Sequence, residues 1–353
     1  MYSKTEYKFI MLKKLTLKNF TTFETAELNF SSGINIIIGE NSSGKSHILK
    51  LAYSVACVWD QFGKEGWTKS LVKKLNSVFK VENLAELRNR TKLLTEEQYQ
   101  INLEFYVSHK KVESQALNFD ITSFNKISVN GNVPTAPIIN KPLFFPAKEV
   151  LSIYPNFTAL YEKYALSFDE TYYDVCKAVE SPLLKNPNAQ LIEKIECLMG
   201  GRIIFKNNNF CLQTEEGDIN IFMVAEGWRK LGMLSYLIAN DSLTEHSILF
   251  WDEPEANLNP RLIKKLAAFL IELSQHNIQI VIATHSLFLM KYFDFLLNKA
   301  QTKVPAAFFN LTRTEQGVCV EQAARLSELS SIVSLEEELE LYVKEQSSLC
   351  DYW

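Results

Sequence analysis

The eight residues Gly39-Glu40-Asn41-Ser42-Ser43-Gly44-Lys45-Ser46 fit the pattern GxxxxGK[ST] at every fixed position. Each fixed residue type answers a demand of phosphate chemistry. Glycine lets the backbone turn tightly, so that successive N–H groups point inward at anionic oxygens. A helix opening after Gly44 adds the positive end of its dipole. Lys45 is placed to neutralise β- and γ-phosphates, and the Ser46 hydroxyl to ligate Mg2+. Gly39, Asn41, Ser42, Ser43, Gly44, Lys45, Ser46 and the adjoining His47 are therefore the candidate contacts to ATP.

A second group of chemistry-bearing residues lies far downstream. The apolar run Ser247-Ile248-Leu249-Phe250-Trp251 ends in two carboxylates, Asp252 and Glu253. Phosphoryl transfer to water needs a cation held near the phosphates and a group that orients and deprotonates the water. Asp252 is the candidate metal ligand with Ser46, and Glu253 the candidate base. Another apolar run, Ile282-Ala283-Thr284, leads into His285-Ser286, where a histidine can contact the γ-phosphate and report its presence. The catalytic candidates are Lys45, Glu253 and His285.

Such groups must be held at the ends of strands. Ile34–Ile38 reads as a short buried strand that ends at Gly39, and His47–Val58 has helical character. Strand, glycine loop and helix in that order form the context a phosphate loop requires. Residues 12–38 read as strands, with residues 1–10 expected as an extension outside the fold. Residues 60–95 read as a polar, partly helical insertion rich in Lys and Glu. Alternation in Tyr99–Val107 puts Ile101, Leu103 and Phe105 on one face, with another strand near Leu117–Ile121. Asn130-Gly131 is a hairpin signal. Lys141–Pro146 is apolar and closed by proline on both sides, and residues 147–200 are mainly helical, with Asp169-Glu170 in a first turn. A hairpin is expected around Asn207-Asn208-Asn209. Helices are expected at Glu226–Ile238 and Arg261–Gln275, strands at Ile248–Trp251 and Ile278–Ala283, a closing hairpin at Ala306–Asn310 and Val318–Glu321, and a helix at Leu335–Lys344.

The chain of 353 residues is 47% hydrophobic and 22% charged, ordinary for a globular protein with an ample core. Its net charge of −4 advertises no broad nucleic-acid surface, although a local basic patch stays open. Cys57, Cys176, Cys197, Cys211, Cys319 and Cys350 lie far apart, with no CxxC pair or Cys/His cluster, which reads as free thiols in a reducing cytosol rather than a zinc site. No apolar run approaches the roughly 18 residues that span a bilayer, and the N-terminus lacks the marks of a signal peptide. A cytoplasmic protein with no membrane partner is expected.

The order Gly39–Ser46, Asp252-Glu253, His285 resembles the ABC-type ATPases of the RecF, Rad50 and OLD branch, as does Leu15-Thr16-Leu17-Lys18-Asn19-Phe20 ahead of the loop. The resemblance implies an α/β P-loop fold: a two-lobed head with a mixed sheet and a helical lobe. Residues 11–146 and 245–325 would form the nucleotide-binding lobe, 147–244 the helical lobe and 326–353 a C-terminal helix. It implies ATP and Mg2+ as cofactors, and a homodimer with composite ATP sites; higher oligomers and bound nucleic acid stay open. Glu253–Pro260 would then be the loop that crosses the dimer interface. Ala225-Glu226-Gly227-Trp228-Arg229-Lys230 is the best match to the signature that reaches a partner's ATP, with Glu226 and Gly227 as the contacts. Ala225 stands where serine is usual, and an ordinary helix start remains the competing reading. Lys148 or Glu149 occupies the place of the loop that couples the metal to the second lobe, or a plain strand-to-helix turn. Phe20 and Phe23 are candidate adenine stackers, with core packing the expected fate of both.

The stretch from Lys45 to Asp252 is too short for a long antiparallel coiled coil, and residues 60–200 lack sustained heptads. The segment after His285 is shorter than a nuclease domain. These features resemble stand-alone ATPase subunits of bacterial anti-phage systems such as PARIS and Septu. The leading expectation is an ATPase whose nucleotide-driven dimerisation regulates a separately encoded nuclease or toxin. A RecF-like DNA-binding ATPase in repair or scanning is the alternative, and a transporter ATPase a third.

Overall fold

The computed structural model describes residues 9–89, 99–108, 112–122, 125–133, 140–164, 166–184, 189–299, 303–315 and 317–350. It begins with β1 (Phe9–Phe20), β2 (Phe23–Asn29), β3 (Ile34–Gly39), α1 (Lys45–Cys57) and α2 (Trp67–Phe79). Next come β4 (Tyr99–Ser108), β5 (Val112–Thr122), β6 (Lys126–Val129) and β7 (Leu143–Phe145). The helices α3 (Phe157–Lys163), α4 (Glu170–Val179) and α5 (Ala189–Met199) lead into β8 (Arg202–Lys206), β9 (Asn209–Thr214) and β10 (Gly217–Asn220). The remaining elements are α6 (Glu226–Ala239), β11 (Ile248–Asp252), α7 (Pro260–Gln275), β12 (Gln279–Thr284), α8 (Leu287–Leu297), β13 (Ala306–Thr314), β14 (Gly317–Ala323) and α9 (Val333–Cys350).

One sheet runs in the order β14-β13-β3-β12-β11-β7. Its strands are parallel to their neighbours except β14, which returns antiparallel to β13. Parallel strands covered on both faces are buried at every position, which is why Ile34–Ile38 and Gln279–Thr284 do not alternate; the polar Asn35, Gln279 and Thr284 among them are hydrogen-bonded. Alternate residues nevertheless serve different cores. Ile34, Ile36, Ile38, Ile280 and Ile282 pack with the helices from α4 to α8. Ile37, Val281, Ala283, Phe250 and Phe309 pack with α1, α2 and the N-terminal strands. The short edge strand β7 lies between Pro142 and Pro146, where missing N–H groups cost the sheet little.

A second, antiparallel sheet has the order β2-β1-β4-β5-β6. Leu12, Leu15 and Leu17 from β1 and Ile101, Leu103 and Phe105 from β4 are buried beneath it, the alternation of a half-buried sheet. The third sheet, β10-β9-β8, lies against α6. Its β8–β9 turn holds Asn207 at φ 52° and Asn208 at φ 61°, the left-handed pair that matches hairpin twist.

Several expectations need correction. Phe9 and Ile10 are not outside the fold: they pair with Ser108 and Val107, so β1 begins before Met11. The hairpin signal at Asn130-Gly131 has no second strand among the described residues, since 134–139 lie outside them; β6, which precedes it, pairs with β5, and the Asn130 amide bonds Asp120. The hairpin at β13–β14 forms, but β13 is also a parallel neighbour of β3 and so belongs to the central sheet. Within 60–95 the described part is partly helical, as expected, but α2 is not simply polar: it buries Leu71, Leu75 and Val78 against α1 and the second sheet. Helix α8 and strand β10 were not expected. Among the described residues no helix is long and apolar enough to cross a membrane.

Candidate nucleotide site

Register in the central sheet sets its carboxyl ends level. Gly39 lies opposite Leu311, Ile38 opposite Thr284, and Ala283 opposite Asp252. The crevice outside the carboxyl ends of parallel strands is where such sheets bind ligands, and the three candidate motifs all end there.

The loop between β3 and α1 depends on its glycines. Gly44 caps α1 at φ 96°, and a Cβ there would stand 2.5 Å from Thr22 Oγ1 and 2.7 Å from the Phe23 ring. Gly39 has φ 151°, with the Leu311 carbonyl 2.6 Å from the same hypothetical atom. The loop is further tied by Ser43 N–H to the Glu40 carbonyl (3.3 Å) and by the Thr22 hydroxyl to the Ser43 carbonyl (3.3 Å). Asn41 and Ser42 are exposed at its tip, Ser42 in the left-handed region, while Ser43 is buried. Lys45 opens the helix and curls back, donating to the carbonyls of Gly39 (2.8 Å) and Glu40 (2.7 Å). Burial pushes its ammonium below the usual lysine range, opposed by the carboxylates of Asp252, Glu253, Glu255 and Glu40. The N-terminal N–H groups of α1 have no partners within their own helix, which is what suits them to an anion.

At the end of β11, Asp252 meets the Ser46 hydroxyl. Burial raises the Asp252 carboxyl above the usual range, and the Ser46 bond opposes that rise. Its Oδ1 is enclosed and has no hydrogen-bond partner among the described residues. A buried carboxylate oxygen left over beside a serine hydroxyl fits a hard divalent cation, which takes few protein ligands and completes its shell with phosphate and water.

Glu253 leaves the strand at φ 47°, an uncommon conformation for a residue with a Cβ, while its N–H donates to the Ala283 carbonyl at 2.9 Å. The turn brings Glu253 Oε1 within 3.2 Å of His285 Nδ1. Thus Lys45, Ser46, Asp252, Glu253 and His285 are drawn into one site.

His47 lies one residue further along α1. Its Nδ1 is enclosed without a hydrogen-bond partner among the described residues, and its ring is 5.8 Å from that of Phe79. It lines a cavity of about 510 Å3 next to the loop, together with Thr21, Thr22, Phe79, Arg88 and Arg313. Phe20 and Phe23 are fully buried in the core and do not line it.

The segment resembling a signature opens α6, where Ala225 provides no side-chain cap. Glu226 is half-buried, and Gly227 is buried against its own chain: a Cβ there would meet Leu258 Cδ2 at 2.5 Å and the Asn257 carbonyl at 3.1 Å. The demand for glycine therefore has a cause within one protomer. Glu149 is buried 3.0 Å from Arg229 Nε and accepts from the Ser152 N–H, so its ties run to α6 and its own turn.

Two residues of the site carried no signal as site residues. Lys230, 1% exposed, donates to the carbonyls of Glu253 (3.3 Å) and Ala256 (3.0 Å). Glu255 is buried and accepts from the Thr284 hydroxyl. The β11–β12 register brings Glu255 to Thr284, and the packing of α6 brings Lys230 to the same turn.

A phosphate loop, an acidic strand end and a histidine strand end on one parallel sheet define a P-loop ATPase of the head-domain type. The chain belongs to the RecF/RecN/SMC N-terminal domain family of ABC-type ATPases, whose model matches residues 11–303. A stretch of 45 residues, 13% of the chain, is 51% identical to the DNA replication and repair protein RecF of Streptococcus gordonii. A stretch of 80 residues, 23% of the chain, is 32% identical to the RecF of Geobacillus kaustophilus. These stretches cover 12% and 21% of the two relatives, so most of each lies outside the match. The fold is similar to that of an Smc head domain from Pyrococcus furiosus, solved with an extended coiled coil and bound to the C-terminal domain of ScpA. That likeness has a TM-score of 0.57 at 13% identity, over 96% of this chain and 100% of the other.

Proposed function

We propose that the chain binds ATP with Mg2+ at the Gly39–Ser46 loop, hydrolyses it, and through ATP joins a second copy to engage duplex DNA in the cytoplasm. The observation that carries this is the junction at the strand ends, where Ser46 meets Asp252 and Glu253 stands 3.2 Å from His285. Ser46 and Asp252 would hold the cation, which supplies charge neutralisation at the β- and γ-phosphates when bound. Lys45 and the α1 N-terminus hold the phosphates. Glu253 accepts a proton from water, and His285 fixes that carboxylate and faces the γ-phosphate. The cavity beside His47 has room for the base and ribose. In this reading residues 11–146 and 245–325 work as the nucleotide-binding lobe and 147–244 as the helical lobe, whose Glu226 and Gly227 end meets the partner's ATP. The DNA part rests on the RecF relatives, which are DNA replication and repair proteins.

A second reading keeps the ATPase and replaces DNA by a separately encoded effector, a nuclease or toxin, in anti-phage defence. The net charge of −4 and the exposed, glutamate-rich α9 favour it, since neither attracts phosphate backbones.

The test uses the wild type and Glu253→Gln with Mg-ATP and a labelled duplex. The wild type should turn over ATP, and Glu253→Gln should retain bound ATP without turnover. ATP-loaded Glu253→Gln should bind duplex with an affinity that falls at least about tenfold between roughly 50 and 200 mM salt. A wild type without turnover sinks the ATPase reading. Retained ATP with no salt-dependent DNA binding discards the DNA reading in favour of the effector one.

A further inference from the structure

The turn after β11 carries another carboxylate, Glu255, to which the roles above give no part. It is 7% exposed, whereas the two side chains of the ion pair beside it are more open: His285 is 52% exposed and Glu253 34%. The Thr284 hydroxyl donates to Glu255 Oε1, and the Ser286 N–H donates to Thr284 Oγ1 at 3.0 Å. Thr284 and Ser286 are the immediate neighbours of His285. The same turn is anchored on its other side by buried Lys230, through the carbonyls of Glu253 and Ala256. Glu255 Oε2 is enclosed and without a hydrogen-bond partner among the described residues.

These contacts close a ring. Glu253 and Glu255 are two residues apart on one turn, Thr284 and His285 adjacent on another, and the two turns meet both at Glu253–His285 and at Glu255–Thr284. The His285 side chain is exposed and that of Glu253 half-buried, so the two turns that carry them are held from below, by the Glu253 N–H to the Ala283 carbonyl and by the buried Glu255–Thr284 link. Enclosing this side chain is costly, and its bond from the Thr284 hydroxyl is the contact that offsets the cost.

We propose that Glu255 is a positioning residue for ATP hydrolysis: through Thr284 it holds the turn bearing His285 against the turn bearing Glu253. The proposal rests on the ATPase reading above. It predicts that loss of the link slows turnover without weakening nucleotide binding, because neither Glu255 nor Thr284 belongs to the phosphate loop.

The experiment compares full-length Glu255→Ala, Glu255→Gln and Thr284→Val, and places Glu255→Ala in a His285→Ala background. Steady-state ATPase kinetics, titration with a fluorescent ATP analogue and thermal melting are recorded for each. Glu255→Ala and Thr284→Val should each lower kcat by on the order of tenfold to a hundredfold, with KM and analogue affinity within about twofold. Glu255→Gln keeps the acceptor for Thr284 and should recover kcat to within about fivefold. In the His285→Ala background, Glu255→Ala should cost nothing further. Should Glu255→Ala fail to fold, Thr284→Val carries the same test at the cost of a single hydroxyl. Wild-type kcat in both Glu255→Ala and Thr284→Val, equal losses in Glu255→Gln and Glu255→Ala, or an additive loss without His285 would each overturn the proposal. A wild type lacking turnover overturns the ATPase reading instead, so the two failures are distinguishable.

Discussion

The imidazole of His47 is held neutral by its surroundings. Burial, with the nearby Lys50 ammonium adding to it, pushes its pKa down from 6.5 to about 4. Below pH 6.5 the unfolded chain takes up a proton that the folded chain refuses until about pH 4. The stability this group contributes is therefore complete above 6.5 and is lost as pH falls from 6.5 through 4. His47→Phe keeps a ring beside Phe79 and removes the titration. Thermal melts between pH 7 and 4 should show the wild type losing Tm more steeply than His47→Phe. Parallel curves would show that the ring is solvated in the folded state. Asp252 and Glu255 shift in the opposite sense, both raised by burial, so the difference between the two proteins isolates His47.

At the scale of elements, an electrostatic network ties α1, α2 and α4 together. Lys50 of α1 pairs with Asp169, the N-cap of α4, at 2.8 Å. Tyr53 of α1 donates to Asp174 of α4 at 2.7 Å, and Lys74 of α2 pairs with Asp174 and, at 3.5 Å, with Glu170. Burial alone would lower the Lys74 ammonium, yet Cys57, Asp174 and Glu170 outweigh it and hold the group well above the usual range. One network thus joins the helix that begins at Lys45 to α2 and to the first long helix after β7. Asp174→Ala leaves a buried ammonium with its more distant partner alone, and should cost about 2–3 kcal/mol. Urea unfolding should show a lower midpoint at unchanged slope; an unshifted midpoint would place the pair in solvent.

At the scale of the whole molecule, the packing of Gly227 changes how the dimer must be tested. Any side chain there collides first with Leu258 in its own protomer, so a loss of activity would not report on a partner. Glu226 is the better probe, half-buried at the mouth of α6. Glu226→Arg in the Glu253→Gln background should leave ATP affinity within about twofold, at a helix-dipole cost of about 0.5–1 kcal/mol. It should also abolish the ATP-dependent doubling of mass that light scattering is expected to show for Glu253→Gln. A dimer that survives would place the interface away from the α6 N-terminus.

The phosphate loop was legible because its chemistry is local: strand, glycines, lysine and serine are contiguous, and each type answers a short-range demand of an anion. The apolar runs ending at Asp252 and before His285 were legible for the same reason, as was the hairpin at Asn207-Asn208. Helix α8 was not, because Leu287-Phe288-Leu289-Met290 is apolar without the spacing of one buried face. The sheet order, the 3.2 Å approach of Glu253 to His285 and the Glu255–Thr284 link across 29 residues belong to the tertiary structure alone. Residue types determine which groups can do the chemistry; parallel pairing between strands distant in sequence, driven by burial on both faces, decides which of them meet.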